Sequence, residues 1–416
     1  MFLMHRRTDG RDRLDPADAD LLGGQAVAEV GRFLRMRSGH GPTPLHELPA
    51  LAAALGVGAI QIKDEGLRLG LGSFKALGGA YAVVRLVLEA ASGKLGRTLD
   101  VTALRSPQVA AVARSMTVAC ATDGNHGRSV ADGARFVGAK AKIFVHSGVS
   151  EVRVDAIRRF GAETIRVDGS YDDSVREAAR IATERGWMIV SDTAWPGYEH
   201  VPGLVMQGYT AILGEALAEW RQPPTHIFIQ AGVGGIAATI AGHLATVMGD
   251  DRPRIIVVEP ARAACLFASA AAGHLVKLVP GKPTVMAMLE CHEPSSVAWR
   301  ILSRAADAFM TVDEDDAIDV MNRLARPRGD DPAIVAGESG GVGLAGLIRA
   351  MADPAIKASL GLNGQSRVFL VNTEGATDPQ KYRELVGLAA TDVDAGRTTA
   401  AADTPPTRRA LRETVS

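Results

Sequence analysis

The stretch from Thr117 to Asp192 most constrains the fold. "TVACA" reads as a short buried strand, "HGRSVADGARFVG" as a helix and "AKIFVH" as a second strand. "SEVRVDAIRRFG", "ETIRVDG", "SYDDSVREAARIATERG" and "WMIVSD" continue the alternation. Apolar runs of strand length alternate with helix-length amphipathic segments, separated by turns of a few residues. Strands joined through helices return to the same edge and run parallel, so this order predicts a βαβαβαβ unit over about residues 87–190. A second series follows: "THIFIQAG", "VGGIAATIAGHLATVM", "RIIVVEP", "AACLFASAAAG", "AFMTVD", "EDDAIDVMNRLARP", "GESGGVGLAGLIRAM" and "RVFLVNTEG". The expected class is α/β, with two open parallel-sheet domains and helices on both faces. A chain of 416 residues can bury two cores with a cleft between them.

Charge narrows the function. Lys and Arg total 46 against 47 Asp and Glu, so neither a nucleic-acid groove nor an anionic membrane surface is indicated. Cys120, Cys265 and Cys291 are far apart and form no metal or disulfide pattern, and the histidines show no metal spacing. No signal peptide and no continuous apolar span are read, and a cytoplasmic enzyme is expected. Residues 1–40 read as a variable N-terminal segment. Residues 392–416 are poor in large apolar groups and are expected not to pack.

Four constellations carry chemistry. In "QAGVGGIAATIAG" a strand ends at Gln230, and Gly232, Val233, Gly234 and Gly235 lead into a helix. Bare backbone N–H groups at a helix start form an anion cradle, most simply for a phosphate; the alternative is a glycine turn that binds nothing. The G-x-G-G spacing is neither the dinucleotide fingerprint nor a P-loop. Glu259, after "RIIVV", is the one acid that would suit a ribose. In "CATDGNHGRSV", Thr122, Asp123, Asn125 and His126 cluster at the carboxyl end of a strand, the ligand side of such a sheet; the alternative is a local N-cap. Lys75, in "GLGSFKALGGAYAV", is an ordinary surface lysine by its spacing alone. Beside a phosphate cradle it suggests a Schiff-base lysine. "VSDTAWPGYEHVPGLVMQGY" adds Asp192 directly after a strand, on a loop with Trp195 and Tyr198, which reads as cleft-lining or as a linker.

Together, "PTPLHELPALAAALGV", "KDEGLRLGLGSFKALGGAYAV", "ATDGNHGRSVA", "SDTAWPGYEHVPGLVMQGY", "IQAGVGGIAA", "KPTVMAMLECHEPSSVAW", "AGESGGVGL" and "NTEGATDP" resemble the fold-type-II (tryptophan synthase beta-like) pyridoxal-phosphate enzymes. Within these, the diaminopropionate ammonia-lyase subfamily is the nearest match. The resemblance implies pyridoxal 5'-phosphate in an interdomain cleft, a large domain of 41–86 and 191–391, and a small one of 87–190. It implies Lys75 as the Schiff-base lysine and Asn125 on the cofactor's ring oxygen. Gly232, Val233, Gly234 and Gly235 would lie on the phosphate, and Thr373 on the ring nitrogen. Asp123 would act as acid/base for one enantiomer and Lys75 for the other, with Asp192 near the substrate's amines. Glu338 would position cofactor or substrate. No metal is implied. A small amino acid is the expected partner, without nucleic acid or membrane, in a homodimer.

The implied reaction eliminates ammonia from D- or L-2,3-diaminopropionate, giving pyruvate and two ammonia. The alternatives are a serine/threonine dehydratase or other β-eliminating lyase, and a catalytically silent metabolite-binding protein. The chain departs from the family at Gly235, where Ser is common, at Ala376, where Asp is usual, and over the first 40 residues. The glycines flanking Lys75 read as room for the cofactor and its substrate.

Overall fold

A computed structural model describes residues 1–5, 13–122 and 124–396. Its strands are β1 (Phe2–Met4), β2 (Leu45–Glu47), β3 (Ala59–Asp64), β4 (Thr117–Ala121), β5 (Lys140–His146), β6 (Glu163–Val167), β7 (Met188–Ile189), β8 (His226–Gln230), β9 (Arg254–Pro260), β10 (Ala308–Val312) and β11 (Arg367–Asn372). Every strand expected from the two alternating series is present. The chain divides into two compact units, one of residues 1–15, 43–67 and 215–416, the other of residues 16–42 and 68–214.

The first unit holds a seven-stranded sheet in the order β1-β10-β9-β8-β11-β3-β2. Its five inner strands are parallel. The short edge strands β1 and β2 pair antiparallel, which the sequence reading of an all-parallel sheet did not include. Both faces of the inner strands are covered: β8 and β10 are buried at every position. This explains their continuous apolar runs, since a strand packed on two sides has no polar face to alternate with.

The second unit holds four parallel strands in the order β6-β5-β4-β7. Its main helix, Lys75–Leu95, buries thirteen residues. Among the described residues it is the one helix long and apolar enough to cross a membrane, and most of its apolar stretch is buried inside the protein.

The Lys75 helix therefore lies in the unit that contains β4–β7, not with the 41–86 segment expected in the large domain. The cause is close packing against the helix Asn125–Val137. A Cβ on Gly133 would sit 2.6 Å from Ala80 Cα, and one on Gly79 2.8 Å from Ser129 Oγ, which accepts the Ala80 N–H at 2.9 Å. On the other side, a Cβ on Gly78 would meet Tyr209 at 2.4 Å. The space beside Gly78 and Gly79, which follow Lys75, is thus filled by neighbouring helices, which corrects the sequence reading for that side; Gly70, before Lys75, has nothing within 4 Å of a would-be Cβ. The expected loose tail also starts too early. Ala390–Asp394 is helical with Val393 buried, because Val393 joins the apolar cluster of the first unit. Residues 397–416 lie outside the described residues, as does Asp123.

Candidate active site

In an open parallel sheet, ligands bind beyond the carboxyl ends of strands where the strand order reverses. In the second unit that point lies between β4 and β7. The chain adds β5 and β6 on one side of β4, then returns to place β7 on the other. After β4, Thr122 Oγ1 accepts the N–H groups of Gly124 and Gly127, both at 3.0 Å. Gly124, at φ +150°, makes a turn closed to other residues, and the helix starts at Asn125. The short polar cluster is therefore partly structural: Gly124 is the N-cap, and Thr122, two residues before it, supplies the side-chain oxygen that accepts the N–H groups. Asn125 and His126 are buried beyond it.

After β7 the chain reaches Asp192. Three bonds fix its approach: His126 Nε2 lies 2.8 Å from Val190 O, Tyr198 Oη donates to Ile189 O at 2.8 Å, and Ser191 N donates to Tyr198 Oη at 3.1 Å. Trp195 stacks on Tyr198 with ring centroids 4.2 Å apart. The Asp192 carboxylate accepts a hydrogen bond from Lys75 Nζ, and the same oxygen is 4.0 Å from His126 Nδ1. Lys75 opens its helix, with Phe74 before it packed on Tyr209 at 4.7 Å.

These contacts set the charges. Burial would raise Asp192, but the Lys75 ammonium, with a smaller pull from His126, holds it well below the usual carboxylate range. Burial lowers His126; Asp192 pulls it up and Lys75 pushes it down. Burial also raises Tyr209, keeping its phenol neutral.

In the first unit the order reverses between β8 and β11, because β9 and β10 follow on one side of β8 and β11 lies on the other. Gly232, Val233, Gly234 and Gly235 leave β8 here. Gly234, at φ +99°, is the N-cap of the helix Gly235–Met248. The first bond of that helix runs from Ala238 N to Gly234 O at 2.8 Å, so the N–H groups of Gly235, Ile236 and Ala237 precede the intrahelical ladder. A Cβ on Gly232 would fall 2.9 Å from Cys291 Sγ, so packing keeps the turn bare. This is a cradle that fits a phosphate dianion.

Thr373 follows β11, the parallel neighbour of β8. Gln230, fully buried at the end of β8, connects the two. Its Nε2 donates to Thr373 Oγ1 at 2.9 Å, to Val371 O at 3.0 Å and to Gly340 O; its Oε1 accepts Gly343 N at 3.2 Å. Thr373 N donates to Gly340 O at 3.0 Å, and Gly337 N to Glu374 O at 2.9 Å, lacing the turn that carries buried Glu338 to the Thr373 segment. The structure thus gathers Lys75, Asn125 and Asp192 in one unit. In the other it gathers Gly232, Val233, Gly234, Gly235, Glu338 and Thr373.

Gln230 and Tyr198 have roles the sequence did not disclose. Each was visible only as the last residue of a strand or an aromatic in a loop. Glu259 is not open to a ribose: its two carboxylate oxygens accept Leu266 N at 2.8 Å and Phe267 N at 2.6 Å.

Comparison with known proteins identifies the family. Residues 36–374 match the family described as pyridoxal-phosphate dependent enzyme. Over 388 residues the chain is 39% identical to diaminopropionate ammonia-lyase of Escherichia coli (strain K12), covering 90% of this chain and 96% of that protein. It is 39% identical to the Salmonella typhimurium diaminopropionate ammonia-lyase over 380 residues, covering 89% and 94%. The crystal structure of the Escherichia coli diaminopropionate ammonia lyase in complex with an aminoacrylate-PLP azomethine superimposes with a TM-score of 0.82 at 37% identity, covering 93% of this chain and 96% of that one. The chain therefore belongs to the fold-type-II pyridoxal-phosphate-dependent enzymes, in the diaminopropionate ammonia-lyase family.

Proposed function

We propose that this chain eliminates ammonia from 2,3-diaminopropionate, D, L or both, yielding pyruvate and two ammonia. The observation that carries the reading is the Asp192 carboxylate fixed against the Lys75 amine. One anion already matched to an ammonium suits a substrate with two amines better than one with a hydroxyl. Bound through a lysine amine, pyridoxal phosphate withdraws electrons from the α-carbon of an amino acid that takes the lysine's place.

The chain's own residues supply the rest. The Gly232–Gly235 turn holds the phosphate by backbone N–H groups, and Asn125 the ring oxygen. Thr373 Oγ1 accepts from Gln230 at 2.9 Å and donates to Ser339 O over a long 3.4 Å, a bond that a ring nitrogen within reach would take over. A neutral hydroxyl donor toward the ring nitrogen leaves that nitrogen without a proton. This favours elimination, where charge passes to the leaving group, over reactions that need a long-lived carbanion. Lys75, once neutral, takes the α-proton on its own face; Asp123 serves the opposite face. Asp192 receives the substrate's amino groups, and Glu338 positions the bound molecules.

The test is pyruvate formation from D- and L-diaminopropionate beside D- and L-serine. Faster turnover of either serine would assign the chain to the dehydratases instead. Asp123→Asn with full activity on both diaminopropionate enantiomers would refute the two-face assignment. A protein that holds the cofactor yet turns over none of the four would be a binding protein. A homodimer in the cytoplasm completes the proposal; three cysteines without a disulfide support the reducing compartment, and sedimentation tests the dimer.

A further inference from the structure

We propose that His126 is a second carrier for the proton that Asp192 holds on Lys75: when Lys75 gives up its charge, His126 takes one up, and the carboxylate always faces a cation. The inference rests on Lys75 being the reactive amine. It begins with the His126 ring. Nε2 lies 2.8 Å from the carbonyl oxygen of Val190, which can only accept, so Nε2 carries a hydrogen in every state. In the neutral ring Nδ1 is then a bare acceptor. It is buried, has no hydrogen-bond partner among the described residues, and stands 4.0 Å from Asp192 Oδ2. Two acceptors facing each other in a buried site are tolerable only while a cation sits on the shared oxygen. Lys75 is that cation.

Among the described groups that act on Asp192, His126 is the one besides Lys75 that can bring a positive charge. Cys120 on β4, Tyr198 on the Asp192 loop and Tyr209 on the next helix are each influenced by the Asp192 charge. Burial raises all three, so they stay neutral and bring no positive charge. Of the groups acting on His126, Asp192 and the Val190 carbonyl favour its charged form, while burial and the Lys75 charge oppose it. Removing the lysine charge removes one opposing influence and leaves Asp192 without its partner.

The step balances. The Lys75 N–H bond breaks with its electron pair kept on nitrogen as an O–H bond forms at Asp192 Oδ2; once a side-chain rotation closes the 4.0 Å gap, that O–H bond breaks as an N–H bond forms at His126 Nδ1. An amine that must be neutral to react and cationic afterwards can then exchange its proton inside the site, without bulk water. His126 acts on Lys75 through Asp192 and is a positioning and proton-holding residue.

The test reads His126 itself by NMR of histidine labelled at Cε1, with the resonance assigned by its loss in His126→Gln. Lys75→Arg (a fixed cation), Lys75→Met (neutral) and Lys75→Met/Asp192→Asn are titrated, all prepared with pyridoxal phosphate present. The expected result is a His126 midpoint about one pH unit or more higher in Lys75→Met than in Lys75→Arg, as expected for an opposite charge at this range. The rise disappears in the double variant. Equal midpoints in the two single variants, or a rise that survives Asp192→Asn, would overturn the proposal. If Lys75→Arg fails to fold, Lys75→Met against its double variant carries the same comparison. Failure to make pyruvate from diaminopropionate with the rise intact refutes the assigned substrate and leaves the His126–Asp192–Lys75 coupling standing.

Discussion

Gly133→Ala should destabilise the protein although alanine is the better helix former. The new Cβ would lie 2.6 Å from Ala80 Cα and 3.0 Å from Ala80 O, where carbon atoms prefer about 3.5–4.0 Å. The obstacle is backbone, which no rotamer change can move, so the two helices must part by roughly 1 Å. That separation stretches the Ala80 N–H bond to Ser129 Oγ from 2.9 Å and opens the Gly79–Ser129 contact. Overpacking costs about 1–3 kcal/mol and the lost hydrogen bond about 1 kcal/mol, against a propensity gain of about 1 kcal/mol. The net loss is about 1–3 kcal/mol. Gly93, exposed near the other end of the Lys75 helix, has nothing within 4 Å of its would-be Cβ, so Gly93→Ala should gain about 0.5–1 kcal/mol. Urea unfolding of both variants beside wild type gives the ordering. Gly133→Ala as stable as Gly93→Ala would refute the claim that backbone contact sets this helix crossing.

Two further outcomes follow from buried groups. Gln230→Leu strips a donor from Thr373 Oγ1, Val371 O and Gly340 O and an acceptor from Gly343 N, and should cost about 2–4 kcal/mol in urea unfolding; a loss under about 1 kcal/mol would show that those groups find other partners. His126 and His226 are both lowered by burial from 6.5, so the unfolded chain binds more protons than the folded one in mild acid. Their contribution to stability is complete above about pH 6.5 and is lost as pH falls below it, by up to about 1.4 kcal/mol per unit for each group. A urea midpoint that holds steady or rises between about pH 7 and 5 would contradict this.

Most of the scaffold was legible because it rests on local signals. Strand-length apolar runs and helix-length amphipathic segments marked the elements, and turns rich in glycine and short polar residues marked the strand ends at the two points where the strand order reverses. Lys75 and Asp192 could be named from such signals together with the family pattern. What could not be read depends on contacts between distant segments. "ALGGA" looks the same whether its glycines face a cofactor or a neighbouring helix, and only the positions of Ser129 and Tyr209 decide it. Gln230 looks like the end of an apolar strand until Thr373 and Gly340, more than a hundred residues later, supply its acceptors. The edge strands β1 and β2 have three residues each, too few for a period to show.

Glu259 stands at the end of a parallel strand with a helix just beyond, the place from which a dinucleotide fold reads a sugar hydroxyl. Here both of its oxygens hold the first turn of Cys265–Ala272, and the side chain is fully buried. The same acid that could have made a nucleotide site instead acts as the fastener of a helix. Any redesign of this sheet toward a nicotinamide cofactor would have to release Glu259 first, and the helix it anchors would lose its starting point. Selectivity against nucleotides is thus built into the way the chain folds, without a residue whose task is to repel them.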